Sequence, residues 1–343
     1  MQQPAIAPPD PAAPRRDSRL GLLDGSSRPM IVVFEQLGRI APTDAPVLLT
    51  GDSGTGKELA ALTVHRLSGR AAGPFLPVAC GALSPTLIDS ELFGHERGGF
   101  PSASRQHKGF FERADGGTLL LDEVTSLPPE IQGKVLRVME SGTLLRIGGD
   151  QPVRIDTRVI AATRREPEQA MAEGVLRQDL LYKLSVFPVH LPPLAEREGD
   201  VELLAERFLA RLGRAAGVAK RLSTEAMDRL CAYAWPGNVR ELENVIYRAF
   251  LLADGTEVRP DHLPGTITGR PPAARSLTLR LGSSIAEVER ELILATLDHL
   301  DGSKREAARV LGVSLKTLYN RLNAYREDGR RGGGSAGGRG GAS

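Results

Sequence analysis

The sequence contains little cysteine and few aromatic side chains. Its two cysteines, Cys80 and Cys231, lie far apart in 343 residues and do not have the spacing of a metal site. They are therefore expected to be reduced thiols in a cytoplasmic protein. Phe, Trp and Tyr together make up 4% of the chain, so its cores must be built from aliphatic side chains.

Long apolar runs and a strong charge imbalance are also missing. No run approaches the ~18 residues that a membrane-spanning helix needs, and the N-terminus lacks the apolar core of a signal peptide. We therefore expect no membrane partner. The net charge of +2 excludes a uniformly basic surface for nucleic acid but allows a local basic patch. The length suits two or three domains.

Five short apolar segments alternate with helical patterns. The segments are 46–50, 75–78, 118–121, 158–163 and 187–191. A stripe of apolar residues spaced by three and four precedes the first segment, from Met30 to Ile40. This alternation predicts an α/β fold with a doubly wound parallel sheet. The continuous apolar run 119–121 predicts a strand that is buried on both faces.

The pattern changes after Leu194, where helical stretches continue to residue 263 without strand candidates. Pro, Gly and Arg then become frequent, which is typical of a linker. We predict a disordered tail (1–21), an α/β subdomain (22–195), a small helical domain (196–265), a linker (266–283), a second helical domain (284–326) and a Gly-rich tail (327–343).

The run GDSGTGKE at 51–58 follows an apolar segment and precedes a helical pattern, which is the context of a phosphate-binding loop. Its glycines allow backbone N–H groups to turn toward phosphate oxygens, and the helix N-terminus adds a favourable dipole. This context favours a P-loop over a Gly-rich turn with a chance lysine. The residues expected to bind ATP are Gly51, Asp52, Ser53, Gly54, Thr55, Gly56, Lys57 and Glu58.

Two positions of this loop carry particular expectations. Lys57 is expected to reach the β- and γ-phosphates. Glu58 stands where a Ser or Thr hydroxyl usually helps to hold Mg²⁺, so other groups must contribute to the metal site. Asp122 and Glu123 end an apolar segment and supply such groups. Asp122 is expected to orient Mg²⁺, and Glu123 to polarise the attacking water.

Near the C-terminus, a helical pattern, a glycine-containing turn and a second helical pattern predict a helix-turn-helix. The first pattern begins with a stripe that includes Leu292, and the turn contains Gly312. Ser314 is a good N-cap for the second helix, whose outer face is expected to enter a major groove. The expected DNA contacts are Lys316, Thr317, Asn320 and Arg321 to bases, and Lys304 and Arg305 to phosphates. An ordinary helical hairpin is the alternative.

Five runs resemble the AAA+ central domain of the bacterial enhancer-binding proteins, which activate sigma-54 RNA polymerase. They are GDSGTGKE (51–58), SELFGHERGGF (90–100), GGTLLLDEV (116–124), LPPLAERE (191–198) and WPGNVRELEN (235–244). The run GSKREAARVLGVSLKTLYNRL (302–322) resembles the Fis-type helix-turn-helix of the same proteins. The resemblance implies an AAA+ fold in which 196–265 is the helical lid. It also makes Glu58 the usual residue at its position.

The resemblance further implies ATP hydrolysis between neighbouring subunits of a homo-oligomer, from dimer to hexamer. Arg240 matches the sensor II arginine of the lid, and Thr163 the sensor I position. Arg177 matches an arginine that acts on the neighbour's γ-phosphate, where a guanidinium spreads charge well. Lys183 stands at the second such position, where a lysine keeps the positive charge but cannot make the bidentate contact of an arginine. Binding to DNA as a dimer on a palindromic site is also implied.

Several residues depart from the family pattern. The loop that contacts sigma-54 in the family aligns here with Gly98, Gly99, Phe100, Pro101, Ser102 and Ala103. Pro101 replaces a threonine, and proline fixes φ and removes a donor. Ala79 replaces an asparagine that pairs with the catalytic glutamate, and Arg164 replaces another asparagine. These changes lie at positions that serve hydrolysis and force output in the family, whereas the positions that hold nucleotide (the P-loop, Asp122 and Arg240) keep the family pattern.

The family often carries a receiver or sensory domain before the AAA+ core. Only about 21 residues precede the core here, so we expect control by a separate regulatory protein or by expression level. The leading hypothesis is an ATP-dependent transcription activator of RNA polymerase with sigma-54. The alternative is a nucleotide-gated DNA-binding regulator that does not remodel sigma-54. The Fis-type run and the run SELFGHERGGF argue against a third hypothesis, an AAA+ remodeller of proteins or replication complexes.

Overall fold

The computed structural model describes residues 18–84, 87–99 and 105–267, together with individual positions between 289 and 322. The chain divides into two compact units, Met1–Gly269 and Arg270–Ser343, and each is described by itself. In the part of the chain so described, no helix is long and apolar enough to cross a membrane.

The first unit contains short strands and helices in alternation. The strands are β1 (Arg19–Leu20), β2 (Leu23–Asp24), β3 (Val47–Thr50), β4 (Phe75–Ala79), β5 (Thr118–Asp122), β6 (Thr143–Leu145), β7 (Pro152–Arg154), β8 (Arg158–Thr163), β9 (Pro188–His190), β10 (Arg221–Leu222) and β11 (Glu257–Val258). The helices are α1 (Arg28–Ile40), α2 (Lys57–Arg66), α3 (Ile88–Phe93), α4 (Phe110–Arg113), α5 (Pro129–Ser141), α6 (Pro167–Ala172), α7 (Gln178–Leu184), α8 (Asp200–Ala216), α9 (Thr224–Ala232) and α10 (Asn238–Leu252).

The main sheet has five parallel strands in the order β4-β5-β8-β3-β9. This confirms the predicted doubly wound α/β fold. Leu119 and Leu121 of β5 belong to one core cluster, whereas Leu120 belongs to the cluster on the opposite face. All three side chains are fully buried, so β5 is covered on both faces as its apolar run predicts.

Helix α1 packs the predicted stripe, from Met30 to Ile40, into the core beneath the sheet. Its C-terminal carbonyls accept hydrogen bonds from a buried arginine at the start of β8. Arg158 Nη1 donates to Ala41 O at 2.8 Å, and Nη2 donates to Ile40 O at 3.0 Å. A cation at this end of a helix also interacts favourably with the helix dipole.

The N-terminus of α1 is held by the first residue of α8. Asp200 is fully buried, and its Oδ1 accepts from the backbone N–H groups of Ser26 at 2.6 Å and Ser27 at 2.9 Å. Its Oδ2 accepts from Ser27 Oγ at 2.9 Å. An anion that caps a helix N-terminus satisfies donors that have no partner within the helix. The lid is thereby fixed to the α/β subdomain at this point.

The lid is formed by α8, α9 and α10 around its own hydrophobic core, in which the aromatic side chains of Trp235, Phe208 and Phe250 pack among aliphatic ones. Two observations correct the predictions for it. Arg221 and Leu222 pair in parallel with Glu257 and Val258, although no strand was expected between residues 197 and 263. Ile267 is buried in the lid core, so the structured lid continues into the segment predicted as linker from residue 266.

Two hairpins were also not anticipated. Arg19 and Leu20 pair with Leu23 and Asp24, so ordered structure begins inside the segment 1–21 that was predicted to be a disordered tail. Strands β6 and β7 form the second hairpin, which ion pairs attach to the neighbouring elements. Arg146 contacts Glu112 of α4 at 2.8 Å and Glu96 at 2.6 Å.

In the second unit, the described side chains of Ile293, Ala307, Ala308 and Leu318 form a small buried core. Gly312 has φ = 68° in a turn, as a glycine between two helices requires. Leu292 is 46% exposed, so the buried position on this helix is Ile293 rather than the predicted Leu292. Thr317 and Arg321 are exposed and Lys304 is half-buried, whereas Arg305, Ser314, Lys316 and Asn320 lie outside the described residues.

Candidate nucleotide-binding site

The predicted P-loop connects β3 to α2 at the carboxyl edge of the sheet. Gly51, Gly54 and Gly56 have φ values of 137°, 81° and 105°, a region that side chains other than glycine rarely adopt. A Cβ on Gly54 would also clash with the carbonyl oxygen of Gly237 in the lid. The glycines are therefore needed both for the loop conformation and for the close approach of the lid.

Lys57 is almost fully buried at the N-terminus of α2. Its Nζ donates to the carbonyl oxygens of Gly51 at 2.7 Å and Asp52 at 3.0 Å, across the turn of the loop. Burial lowers the pKa of the Lys57 ammonium below its ordinary value, and the nearby carboxylates of Glu123 and Asp122 oppose this shift. The loop therefore presents a desolvated cation close to two acidic side chains.

Asp122 and Glu123 stand at the carboxyl end of β5, which β8 separates from the P-loop strand β3 in the sheet. The backbone N–H of Glu123 donates to Asp122 Oδ1 at 3.1 Å, and Glu123 adopts a left-handed φ of 55°. Arg164, which follows β8, has its Nε 4.0 Å from Glu123 Oε2. The structure thus gives Arg164 a partner that the sequence did not indicate.

These groups line one cavity of about 340 Å³ between the P-loop and the lid. The lining residues of the α/β subdomain are Ser53, Gly54, Gly56, Lys57, Glu58, Leu59, Asp122 and Glu123. The lid contributes Val239, Arg240 and Glu243. Arg240 Nη1 lies 3.4 Å from Ser53 Oγ. The cavity therefore brings together the loop, the acidic pair and the lid arginine that were predicted to act together.

Three consecutive carbonyl groups of the P-loop each accept a hydrogen bond from a residue in the lid or in the connection that leads to it. Asn238 Nδ2 donates to Ser53 O at 3.0 Å, the backbone N–H of Arg240 donates to Gly54 O at 3.3 Å, and Arg197 Nη2 donates to Thr55 O at 2.8 Å. Asn238 and Arg197 are nearly completely buried. Burial lowers the pKa of Arg197 to about 10. Sequence reasoning missed both residues, although Asn238 precedes Arg240 by two positions in the same run.

Thr163 does not line this cavity. It is buried at the end of β8, with its Oγ1 3.4 Å from Thr125 Oγ1, and it accepts a hydrogen bond from the backbone N–H of Arg165 at 3.0 Å. Thr125 belongs to the turn that follows Glu123. Thr163 therefore contacts the acidic pair through a neighbouring turn rather than directly.

Arg177 and Lys183 lie at the two ends of α7 and are not among the residues that line the cavity. Arg177 is exposed, and its Nη2 contacts Asp179 Oδ2 at 2.7 Å. Of the predicted polymerase-contact loop, Gly98 and Gly99 are described, and the backbone N–H of Gly99 donates to Glu96 O at 3.0 Å. Phe100, Pro101, Ser102 and Ala103 lie outside the described residues.

A five-stranded parallel sheet with a P-loop, an acidic pair at the carboxyl end of another strand of the same sheet and a helical lid carrying an arginine defines the AAA+ class of P-loop proteins. Residues 23–190 match the family described as "Sigma-54 interaction domain", and residues 195–279 match "AAA+ ATPase lid domain". Residues 284–325 match "Bacterial regulatory protein, Fis family". The chain belongs to the family of sigma-54-dependent transcription activators that carry a Fis-type helix-turn-helix.

Curated relatives agree with this assignment. The transcriptional regulatory protein FlbD of Caulobacter vibrioides is 41% identical over 332 residues, which cover 90% of this chain and 73% of the relative. The nitrogen fixation protein AnfA of Azotobacter vinelandii is 43% identical over 302 residues, covering 88% of this chain and 57% of AnfA. A crystal structure of NtrX from Brucella abortus in complex with ATP has a TM-score of 0.68 and 35% identity, covering 90% of this chain and 70% of that chain.

Proposed function

We propose that this protein is an ATP-dependent, DNA-binding activator of transcription that acts on RNA polymerase carrying sigma-54. The observation that carries the proposal is the single cavity that contains the P-loop, the Asp122–Glu123 pair and Arg240. In the same chain, the Fis-type segment supplies a module for DNA. NtrX, a relative of similar fold, is described in complex with ATP and with ADP, which supports the nucleotide assignment.

In this proposal, the P-loop N–H groups and Lys57 bind the phosphates of ATP, and Arg240 closes the cavity from the lid. Mg²⁺ usually takes only one or two carboxylates and completes its shell with phosphate oxygens and water. The described part of the chain has no cluster of three or more His, Cys, Asp or Glu that would hold a metal by itself. The donor set around Asp122 therefore fits Mg²⁺ that arrives with the nucleotide, with Asp122 as its protein ligand.

For hydrolysis, Glu123 orients the attacking water, and Thr163 holds the adjacent turn through Thr125. Arg177 and Lys183 lie away from their own subunit's cavity, which favours a role on the γ-phosphate of a neighbouring subunit in a ring. A guanidinium that reaches the γ-phosphate in this way stabilises transition-state charge. Lys183 would supply charge without a bidentate contact.

For transcription activation, residues 98–103 are the proposed contact with sigma-54. The Fis-type module is proposed to bind an upstream palindromic DNA site. Lys304, Arg305, Ser314, Lys316, Thr317, Asn320 and Arg321 form the proposed DNA-binding surface. The proposed partners are therefore DNA, RNA polymerase with sigma-54 and further copies of this chain, with a separate regulatory protein supplying the signal.

The test is open-complex formation on a sigma-54 promoter. The promoter is placed downstream of a DNA site that the purified chain selects from a random pool, and permanganate footprinting reports melting. We expect melting with ATP and none with ADP. Lys57→Ala should abolish ATP binding and melting while leaving DNA binding intact. Intact ATP and DNA binding without any melting would refute the activator assignment, and ATP binding by Lys57→Ala would refute the P-loop assignment.

A further inference from the structure

The side chain of Gln132 is completely buried in α5 and joins two segments that have different tasks in the proposed function. Its Nε2 donates to Leu127 O at 2.8 Å and to Val175 O at 2.8 Å. Its Oε1 accepts from the backbone N–H of Arg177 at 2.8 Å. The buried amide thus makes three short hydrogen bonds, all of them to backbone groups.

One of these segments leads back to the acidic pair. Leu127 follows Glu123 by one tight turn, in which Ser126 N donates to Glu123 O at 2.8 Å and Leu127 N donates to Val124 O at 3.1 Å. The same turn contains Thr125, the partner of Thr163. The carbonyl that Gln132 binds is therefore rigidly connected to the end of β5.

The other segment carries Arg177. Its backbone N–H is fixed by Gln132, and its carbonyl accepts from Leu181 N at 3.0 Å, at the start of α7. Its side chain is 46% exposed and lies against α5, where a Cβ built on Gly133 would be 3.6 Å from Nη1. The base of Arg177 is thus held by a buried group, while its guanidinium faces outward.

The outward guanidinium is paired with Asp179, which is itself 45% exposed. Exposed ion pairs contribute little, typically about 0–1 kcal/mol, so this pair does not determine where Arg177 stands. A buried amide whose removal would leave three backbone groups without partners is a far stronger constraint. The position of Arg177 relative to α5 therefore depends on Gln132.

We infer that Gln132 is a positioning residue that aligns Arg177 for action on the nucleotide of a neighbouring subunit, and that it couples this alignment to the turn behind Glu123. The inference rests on the proposed function. The hydrogen-bond partners of Gln132, which are Leu127, Val175 and Arg177, are not among the residues that line its own subunit's cavity. Its loss should therefore affect a neighbour's hydrolysis and spare nucleotide binding in its own subunit.

The experiment mixes variants of the full chain and measures ATP hydrolysis. Gln132→Leu alone should hydrolyse ATP about 100-fold more slowly, the effect expected of a misplacement of about 1 Å. Its affinity for ATP should stay within about twofold of the wild-type value, since that site is untouched. The matched control Gln169→Leu changes an exposed glutamine whose Nε2 donates to Glu173 Oε1 at 2.8 Å, and it should hydrolyse ATP at the wild-type rate.

Mixing Gln132→Leu subunits with Lys57→Ala subunits then shows which subunit's nucleotide site carries the defect in hydrolysis. A Lys57→Ala subunit has no working P-loop but retains an intact Arg177, which it can offer to the ATP held by a Gln132→Leu neighbour. Activity well above that of either variant alone is the expected result. Arg177→Ala mixed with Lys57→Ala should recover activity in the same way and serves as the reference.

Recovery in the reference mixture without recovery for Gln132→Leu would overturn the inference, because the defect would then lie in the subunit's own site. Wild-type activity of Gln132→Leu alone would also overturn it. Absence of recovery in the reference mixture would instead refute the trans role of Arg177 in the proposed function. Loss of ATP binding by a folded Gln132→Leu would likewise overturn it. If Gln132→Leu fails to fold, the milder Gln132→Asn, one methylene shorter, is put through the same mixtures.

Discussion

The side-chain amide of Asn238, at the first position of α10, donates to the carbonyl oxygen of Ser53 in the P-loop at 3.0 Å. Its Oδ1 accepts from the backbone N–H of Leu194 at 2.7 Å, in the connection between the α/β subdomain and the lid. One buried side chain thus joins the P-loop, the connection and the lid. Asn238 has φ = 53°, a conformation that few residues other than Gly and Asn adopt.

We predict that Asn238→Ala destabilises the protein more than Asn238→Gly does. Both variants lose the two hydrogen bonds, which costs about 1–3 kcal/mol because buried groups remain unpaired. Alanine alone also has to adopt the left-handed φ, at a further cost of about 1–2 kcal/mol. Chemical denaturation followed by circular dichroism measures both. Equal midpoints for the two variants would show that the φ value carries no cost.

Removal of the Arg164 side chain should speed hydrolysis. Its Nε stands 4.0 Å from Glu123 Oε2 and would compete for the carboxylate that we propose to orient water. Because an exposed pair is worth about 0–1 kcal/mol, Arg164→Ala should raise kcat by at most ~5-fold, with ATP affinity unchanged. Arg165→Ala is the matched control, since Arg165 pairs with Glu173 at 3.2 Å. A lower kcat for Arg164→Ala would show that Arg164 assists Glu123.

Gly133→Ala should stabilise the protein. Gly133 lies in the interior of α5, where alanine is favoured by about 1 kcal/mol, and the new Cβ would lie at an ordinary 3.6 Å from Arg177 Nη1. The contrasting variant is Gly142→Ala at the C-cap of the same helix, where φ is 64°. We expect the thermal midpoint to rise for Gly133→Ala and to fall for Gly142→Ala. A fall for both variants would contradict the prediction.

The attachment of the β6–β7 hairpin should weaken in acid. The Arg146 guanidinium holds the pKa of the Glu112 carboxyl, and that of Glu96, below the ordinary value of 4.5. A carboxyl whose pKa is lowered by folding stabilises the folded state above its unfolded pKa. That contribution is lost as the pH falls through the lower, folded pKa.

The measurement compares the wild type with Arg146→Leu, which lacks both ion pairs, at a series of pH values. The difference in unfolding midpoint should be constant above about pH 5 and should shrink steadily below pH ~4. A difference that stays constant down to pH 3 would mean that packing of the Arg146 side chain, rather than its charge, attaches the hairpin.

The parts of this structure that follow local rules could be predicted from the sequence. The P-loop is a contiguous motif whose glycines and lysine have fixed tasks, and the run 119–121 is apolar because β5 is covered on both faces. The acidic pair could be placed beside the P-loop because parallel strands end at one edge of the sheet.

The residues that sequence reasoning missed act over long separations. Asn238 and Ser53 are 185 positions apart, and Gln132 and Arg177 are 45 apart. Their partners are backbone groups, which every residue type has. Such contacts therefore produce no recognisable pattern of side-chain types in the sequence. The strands β10 and β11 are two residues each, too short to show any periodicity. The exposure of Leu292 shows the same limit, because an apolar stripe does not reveal which of two adjacent residues packs inward.

The cap that Asp200 forms on α1 also provides a fixed point at one end of the lid. Four hydrogen bonds from Ser26 and Ser27 anchor the first residue of α8 to the α/β subdomain. Helix α8 has 17 residues and is therefore about 25 Å long, so it acts as a lever whose pivot is at Asp200. A rotation of about 10° at this pivot would move its far end by about 4 Å. A rotation of the lid about Asp200 would thus displace the outer edge of the lid far more than the end beside α1.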